Sequence, residues 1–301
     1  MKVASRVFLA VALLALALPS AAALKVFACE PEWGALAAEL GGDKVSVYVA
    51  TTALQDPHRI EARPSLIARA RSADLMVCSG SELEIGWVPL LLTQAGNSRI
   101  QPGSPGFLEA SQEVARIEIP KIVDRSMGDV HPGGNPHVHT DPRNIGRIAG
   151  VLAQRLTQID PANAESYKAR AESFQARWQA AIQRWERDGA RLKDVPVVVY
   201  HRDLSYFIRW MGMREAGSLE PKPGIPPTPA HLAGLVEQMK QAPAKVIVYS
   251  PYNDARAAQF LSQRTGIPAT MVPFTVGGSD KAKDLFGLFD DTIERLLAAV
   301  K

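Results

Sequence analysis

Residues 24–49 read LKVFACEPEWGALAAELGGDKVSVYV, and this stretch decides the fold. Residues 24–28 have the apolar, β-branched and aromatic character of a short strand. Residues 31–40 follow with a helical pattern, opened by Pro31 and ended by Gly41 and Gly42. Residues 45–49 then form a second strand. The alternation continues outward: a helix over 64–72, a strand over 73–77, and a helix beginning near Glu84. Strands alternating with helices at this spacing predict an α/β unit with a parallel sheet. Residues 102–142 carry Gly and Pro too densely for regular elements and read as loop.

Residues 142–192 are helical, divided at Asp160-Pro161. In the second part Tyr167, Phe174, Trp178, Ile182 and Trp185 fall on one face, the mark of a long helix that buries a stripe in the core. The alternation then resumes, with strands over 195–200, 245–249 and 269–272. Helices are expected over 204–211, 229–241, 254–265 and 285–300, with a loop of five prolines over 220–229. The expected architecture is α/β, with two lobes of small parallel sheets flanked by helices, residues 24–141 and 194–301. A helical connection over 142–193, including one long backbone helix, joins them and limits hinge motion.

Composition sets the outer bounds. The chain has 301 residues, 47% hydrophobic and 22% charged, which excludes collagen-like, low-complexity and largely disordered classes. The formal charge of +3 comes without any basic block, which argues against nucleic acid as a partner. Two Cys exclude both a disulfide-dense scaffold and a four-thiolate zinc site. Residues 1–23 place Lys2 and Arg6 before an apolar run over 7–18 and close on Ala21-Ala22-Ala23, the pattern of a secretory signal peptide. The run is shorter than the ~20 residues that span a bilayer. No Cys follows it, so a lipid anchor at this point is not supported. The expected location is the periplasm, where disulfides persist. Cys29 and Cys78 each follow a strand-like run. If those strands are neighbours a disulfide is possible, and two buried thiols are the alternative.

The six His are at 58, 131, 137, 139, 201 and 231. His58, His137 and His201 stand in loops or directly after strands, and in open α/β sheets ligands bind beyond the carboxyl ends of strands. Imidazole is the commonest metal-binding side chain. The compact signatures CxxC, HExxH, GxSxG, the P-loop and GxGxxG are all missing, so nucleophilic hydrolysis and nucleotide binding have no support. His231, at the start of a helix, reads as structural or solvated.

Asp56-Pro57-His58 with Pro64-Ser65, Asn135-Pro136-His137 with Asp141-Pro142, and Tyr200-His201 with Tyr206-Phe207 occur in this order across the chain. In that arrangement the sequence resembles the metal-binding solute-binding proteins of bacterial ABC importers for zinc and manganese, the cluster A-I family. Residues 27–33 and 283–291 carry a closer resemblance to the AztC-type zinc-binding proteins of that family. The resemblance implies two lobes on a backbone helix and one ion between them. It implies a metal site of His58, His137, His201 and Asp280, with Asp284 as second choice for the acidic position. His139 stands where the family usually has an apolar aromatic, which leaves His139 as the alternative to His137; His137 is preferred because it follows Asn135-Pro136. The implied cargo is one zinc ion per chain, since three imidazoles and one carboxylate suit zinc and a manganese site would carry a second acidic ligand at position 201. The implied partners are a membrane permease of the ABC importer and, as for some such proteins, a periplasmic zinc chaperone, with the protein itself a monomer; His131, with His139, is either a transient zinc-capture site or part of a merely solvated loop. Four protein ligands leave no open position for water, which argues for carriage over catalysis. Other expectations kept open are manganese transport, a metal-dependent adhesin and a zinc hydrolase.

Overall fold

Two parallel sheets with the same strand permutation organise the chain. The computed structural model describes residues 22–300; the expected export segment, 1–23, lies outside the described residues except for its last two. In the N-terminal lobe β1 (Leu24–Ala28), β2 (Val45–Val49), β3 (Leu75–Cys78) and β4 (Phe107–Glu109) are ordered β2-β1-β3-β4. In the C-terminal lobe β5 (Pro196–Val199), β6 (Arg214–Ser218), β7 (Val246–Tyr249) and β8 (Ala269–Met271) repeat the order as β6-β5-β7-β8. The chain leaves each first strand to one side and later returns on its other side. A crevice therefore opens at the carboxyl ends between β1 and β3, and between β5 and β7.

Strand alternation sends side chains to two different cores. Val26 and Ala28 join a central core with Trp33, Leu36 and Leu40 of α1 (Pro31–Gly41), whereas Phe27 and Cys29 pack outward with Leu66 of α2 (Pro64–Arg71) and Leu91 of α3 (Val88–Ala95). The second sheet follows the same rule. Val197 and Val199 face the central core, and Val198 packs with Leu235 of α7 (Pro229–Gln241) and Leu261 of α8 (Ala255–Thr265).

The central core is shared by both lobes and built on α4 (Pro142–Ile159), α5 (Ala164–Asp188) and α9 (Leu285–Ala299). The aromatic stripe expected on α5 is buried throughout. The Trp178 indole donates to the Pro142 carbonyl at 2.7 Å and the Trp185 indole to Asp290 at 2.6 Å. Both rings pack on Phe289, and Trp178 meets Phe286 edge-on at 4.8 Å. Aromatic burial on this scale, each ring contributing roughly 1.5–3 kcal/mol, makes α5 a rigid spine.

Two strands were not expected. β4 lies inside the stretch read as loop, and β6 (Arg-Glu-Ala-Gly-Ser) falls in a polar stretch. Both are edge strands, which need little apolar pattern because one side has no neighbour. The helix expected near Glu84 starts at Val88, after a tight turn in which Gly80, Ser81 and Glu82 all have positive φ. β1 and β3 are neighbours, with Ala28 opposite Val77. The next residues, Cys29 and Cys78, have Cα atoms 4.8 Å apart and form the disulfide, not a pair of thiols. Replacing both, as Cys29→Ala with Cys78→Ala, is expected to lower unfolding stability by roughly 2–4 kcal/mol, measured by urea denaturation of the metal-free protein.

Candidate metal centre

Three imidazoles from three loops meet between the lobes. His58 follows β2 in a short helical turn (Pro57–Arg59) that Asp56 caps, its carboxylate accepting from the His58 backbone N at 3.0 Å. The Trp87 indole donates to the Pro57 carbonyl and pins this turn to the lobe. His201 directly follows β5, and α6 (Ser205–Trp210) begins just beyond it. His137 ends the long loop before α4. Asn135 positions it: its side-chain carbonyl accepts from the His137 N at 3.0 Å, and its amide donates to the Arg202 carbonyl in the other lobe at 2.8 Å. Tyr206 adds a second tie, its hydroxyl donating to the Asn135 carbonyl. The Asn-Pro-His and Tyr-Phe motifs are thus two ends of one contact between the lobes.

The ligand atoms of His58, His137 and His201 lie within 4.8 Å of one another, and their ring centroids are 5.5–5.6 Å apart. Carboxylates hold two of the rings from behind. His58 Nδ1 donates to Asp56 at 2.8 Å, and His201 Nδ1 to Glu220 at 2.7 Å. That fixes the tautomer and leaves each Nε2 as a lone-pair donor toward the centre. His137 is buried, and neither ring nitrogen has a hydrogen-bond partner among the described residues. Buried polar atoms rarely go unpaired, so this one fits a site built for a cation. Burial, reinforced by the neighbouring His201 and His58, holds the His137 imidazole well below its usual basicity. For His201 burial works the same way, yet the Glu220 hydrogen bond and the charge of Asp203 outweigh it and raise the pKa.

His131 stands beside His58, Nε2 to Nε2 at 3.2 Å, and burial pushes its pKa down to about 4. Two nitrogens bound about 2.0–2.1 Å from one tetrahedral zinc are roughly 3.3 Å apart, so this pair has the spacing of shared coordination. His139 faces elsewhere. Its Nδ1 lies 3.1 Å from Glu32 and its Nε2 donates to the Phe274 carbonyl, and it is His137, not His139, that clusters with His58 and His201. His231 bonds the Ser218 carbonyl, a structural contact.

The structure does not bring Asp280 to the imidazoles. It is exposed in the turn before α9, whose backbone is tied off by the Gly277 N–Ala282 O bond and by Ser279, which reaches Asp291 of α9. Asp284 caps α9 by accepting from the Gly287 N. Two functional carboxylates escaped sequence reasoning. Asp56, two residues before His58 and followed by Pro, carried a capping signal. Glu220, 19 residues from His201, carried none.

Nitrogen donors closed between two lobes on a helical spine define a metal-binding solute-binding protein. A family model described as "Zinc-uptake complex component A periplasmic" (ZnuA) matches residues 26–299, and the chain belongs to that family. The family consists of transport proteins rather than enzymes. Among curated relatives, the manganese ABC transporter substrate-binding lipoprotein PsaA of Streptococcus anginosus is 24% identical over 269 residues, covering 87% of this chain and 83% of its own. The iron ABC transporter substrate-binding lipoprotein MtsA of Streptococcus pyogenes serotype M1 is 22% identical over 265 residues, covering 86% and 82%. A crystal structure of ZnuA superposes with a TM-score of 0.78 at 19% identity, covering 93% of this chain and all of that one. No helix among the described residues is long and apolar enough to cross a membrane.

Buried carboxyls lie beneath the crevice. Glu84 accepts from the backbone N of Ser79 and Gly80, and Glu30 accepts from Ser79 Oγ. Burial pushes the Glu84 pKa up to about 7 and, with the Glu84 charge, raises that of Glu30. A raised carboxyl binds its proton more tightly folded than unfolded. Its stabilisation is therefore full below about pH 4.5 and is lost as pH rises through about 7. Glu84→Gln should gain stability relative to the unsubstituted protein between pH 5 and pH 8, read from denaturant midpoints without metal. A constant difference would contradict the assignment.

Proposed function

We propose that this protein is a periplasmic zinc carrier that captures one zinc ion between its lobes and delivers it to the permease of an ABC importer. The single observation that carries the reading is His137, buried with both ring nitrogens unpartnered beside two imidazoles whose Nε2 atoms face the same centre. His58, His137 and His201 hold the ion, and His131 is the fourth nitrogen nearest to hand. The carboxylates Asp56 and Glu220 are engaged on Nδ1 atoms, so they balance the cation's charge from behind the ligands.

A nitrogen-only set of this kind favours zinc over manganese, which prefers carboxylate and water oxygens. The manganese and iron named for the relatives make metal choice the point to measure. His131, 3.2 Å from His58 Nε2, suits a capture role, receiving zinc from solution or from a periplasmic zinc chaperone before it passes to the three imidazoles.

Chelator competition is the test. His58→Ala, His137→Ala and His201→Ala are each expected to weaken zinc binding by roughly 100-fold or more, and Glu220→Gln by about 10–100-fold as an orienting partner. Asp280→Ala is expected to change affinity by less than about threefold, because its side chain is exposed and is not part of the imidazole cluster. Two intact affinities among the three His variants would overturn the site. Zinc binding should also weaken in acid, as protons compete for the imidazoles. Elemental analysis of protein purified with zinc and manganese both supplied should find zinc; a stoichiometric manganese load would overturn the metal choice.

A further inference from the structure

Directly behind His137 lies a second polar group that the proposed ion never touches. Glu32 of α1, His139 in the turn after His137, and Thr275 in the segment after β8 are all buried. Thr275 Oγ1 donates to Glu32 Oε2 across 243 residues of sequence. Glu32 Oε1 lies 3.1 Å from His139 Nδ1, and His139 Nε2 donates to the Phe274 carbonyl at 3.0 Å. One carboxylate from the N-terminal lobe thus holds the C-terminal segment 273–276 directly through Thr275, while its other oxygen stands against His139 without a formed hydrogen bond.

That segment forms part of the wall of the site. The Phe274 ring packs edge-on against His137 at 5.3 Å, against His139 at 4.8 Å and against Tyr252 at 5.7 Å. Tyr252 and Ser250 donate to Asp203, two residues beyond His201. The Thr275 carbonyl also accepts from the Gly278 N, which starts the turn toward α9. Glu32 is fully buried and Thr275 is its one hydrogen-bond partner among the described residues, so losing that hydroxyl would leave the carboxylate unpaired.

We propose that Glu32, His139 and Thr275 form an interlobe latch that holds Phe274 against His137 and thereby sets how fast the bound ion leaves. These are positioning residues: they contact the wall of the site and not the ion. Opening the lobes to release cargo requires the Thr275–Glu32 bond to break and Phe274 to withdraw from His137.

The inference rests on the three-imidazole reading, and the test separates the two. Zinc-loaded protein is mixed with excess chelator in a stopped-flow instrument, and the dissociation rate is compared among Thr275→Val, Glu32→Gln, the double variant and Thr275→Ser, with His58→Ala as site control. Thr275→Val and Glu32→Gln are each expected to release zinc about tenfold faster or more. Thr275→Ser, which keeps the hydroxyl, should release it at the original rate. The double variant should be no faster than the faster single one, because both remove the same contact. Unchanged release rates in the two single variants, with zinc still bound, would overturn the latch and leave the site standing. So would rate increases that multiply in the double variant, or the same acceleration in Thr275→Ser. Tight zinc binding by His58→Ala would instead overturn the site. Thermal midpoints of the metal-free variants identify simple destabilisation: a fall in midpoint without faster release counts against the latch.

Discussion

The centre depends on a histidine that is buried and given nothing to bond. Leaving a buried donor or acceptor unpaired costs about 1–3 kcal/mol, and His137 presents two such atoms between two lobes. Nothing in the local chain requires this, since Asn135 already satisfies the backbone nitrogen of His137. The surroundings keep the ring in its neutral form, with a lone pair directed at a space that two further imidazoles face. A divalent cation there would meet nitrogen donors first and negative charge second, from Asp56, Glu220 and Asp203 lying behind the rings. Putting the carboxylates behind the ligands neutralises the ion's charge without supplying the oxygen donors that harder cations prefer.

Such a site demands that its parts arrive from both lobes and stay in register, and the fold meets the demand with one shared core. Each lobe keeps its own outer cluster, but the inner faces of both sheets, α1, α4, α5 and α9 all bury side chains in the same central body. The tryptophans of α5 anchor by their indole nitrogens as well as by their faces, which resists rotation of the spine. Across the crevice the lobes are joined by small polar ties, Asn135 to Arg202 and Thr275 to Glu32. Contacts of that kind break as units and can distinguish two positions, which a large greasy interface does less sharply.

The elements legible in the sequence were those whose cause is local. Pro31 before α1 and the Gly pair at its end, Pro142 and Pro161 at helix starts, and the aromatic spacing on α5 each report a constraint satisfied within a few residues or along one face. The two edge strands were missed because an edge has less to bury. The disulfide stood undecided on sequence because two cysteines 49 residues apart become partners only through the order of the strands. His58, His137 and His201 were legible through short motifs that also serve the backbone: Asp56 caps the turn it precedes, and Asn135 holds the residue two beyond it.

Asp280 shows the limit of that reading. An acidic residue before the last helix matched a pattern, yet it is exposed in a turn tied to α9 and is not among the side chains that cluster at the centre. His139 shows the reverse, a histidine that read as a rival ligand and that stands outside the cluster of three, its Nε2 bonded to the Phe274 carbonyl and its Nδ1 3.1 Å from Glu32. The sequence by itself determined the α/β class, the two lobes with their helical spine, and the three histidines, because period, capping and short-range motifs are written in neighbouring residues. Only the tertiary structure decided the bonded cysteines, the carboxylates behind the rings and the side chains that stand at the centre, because each depends on which distant segments the strand order and the shared core bring within a few ångströms.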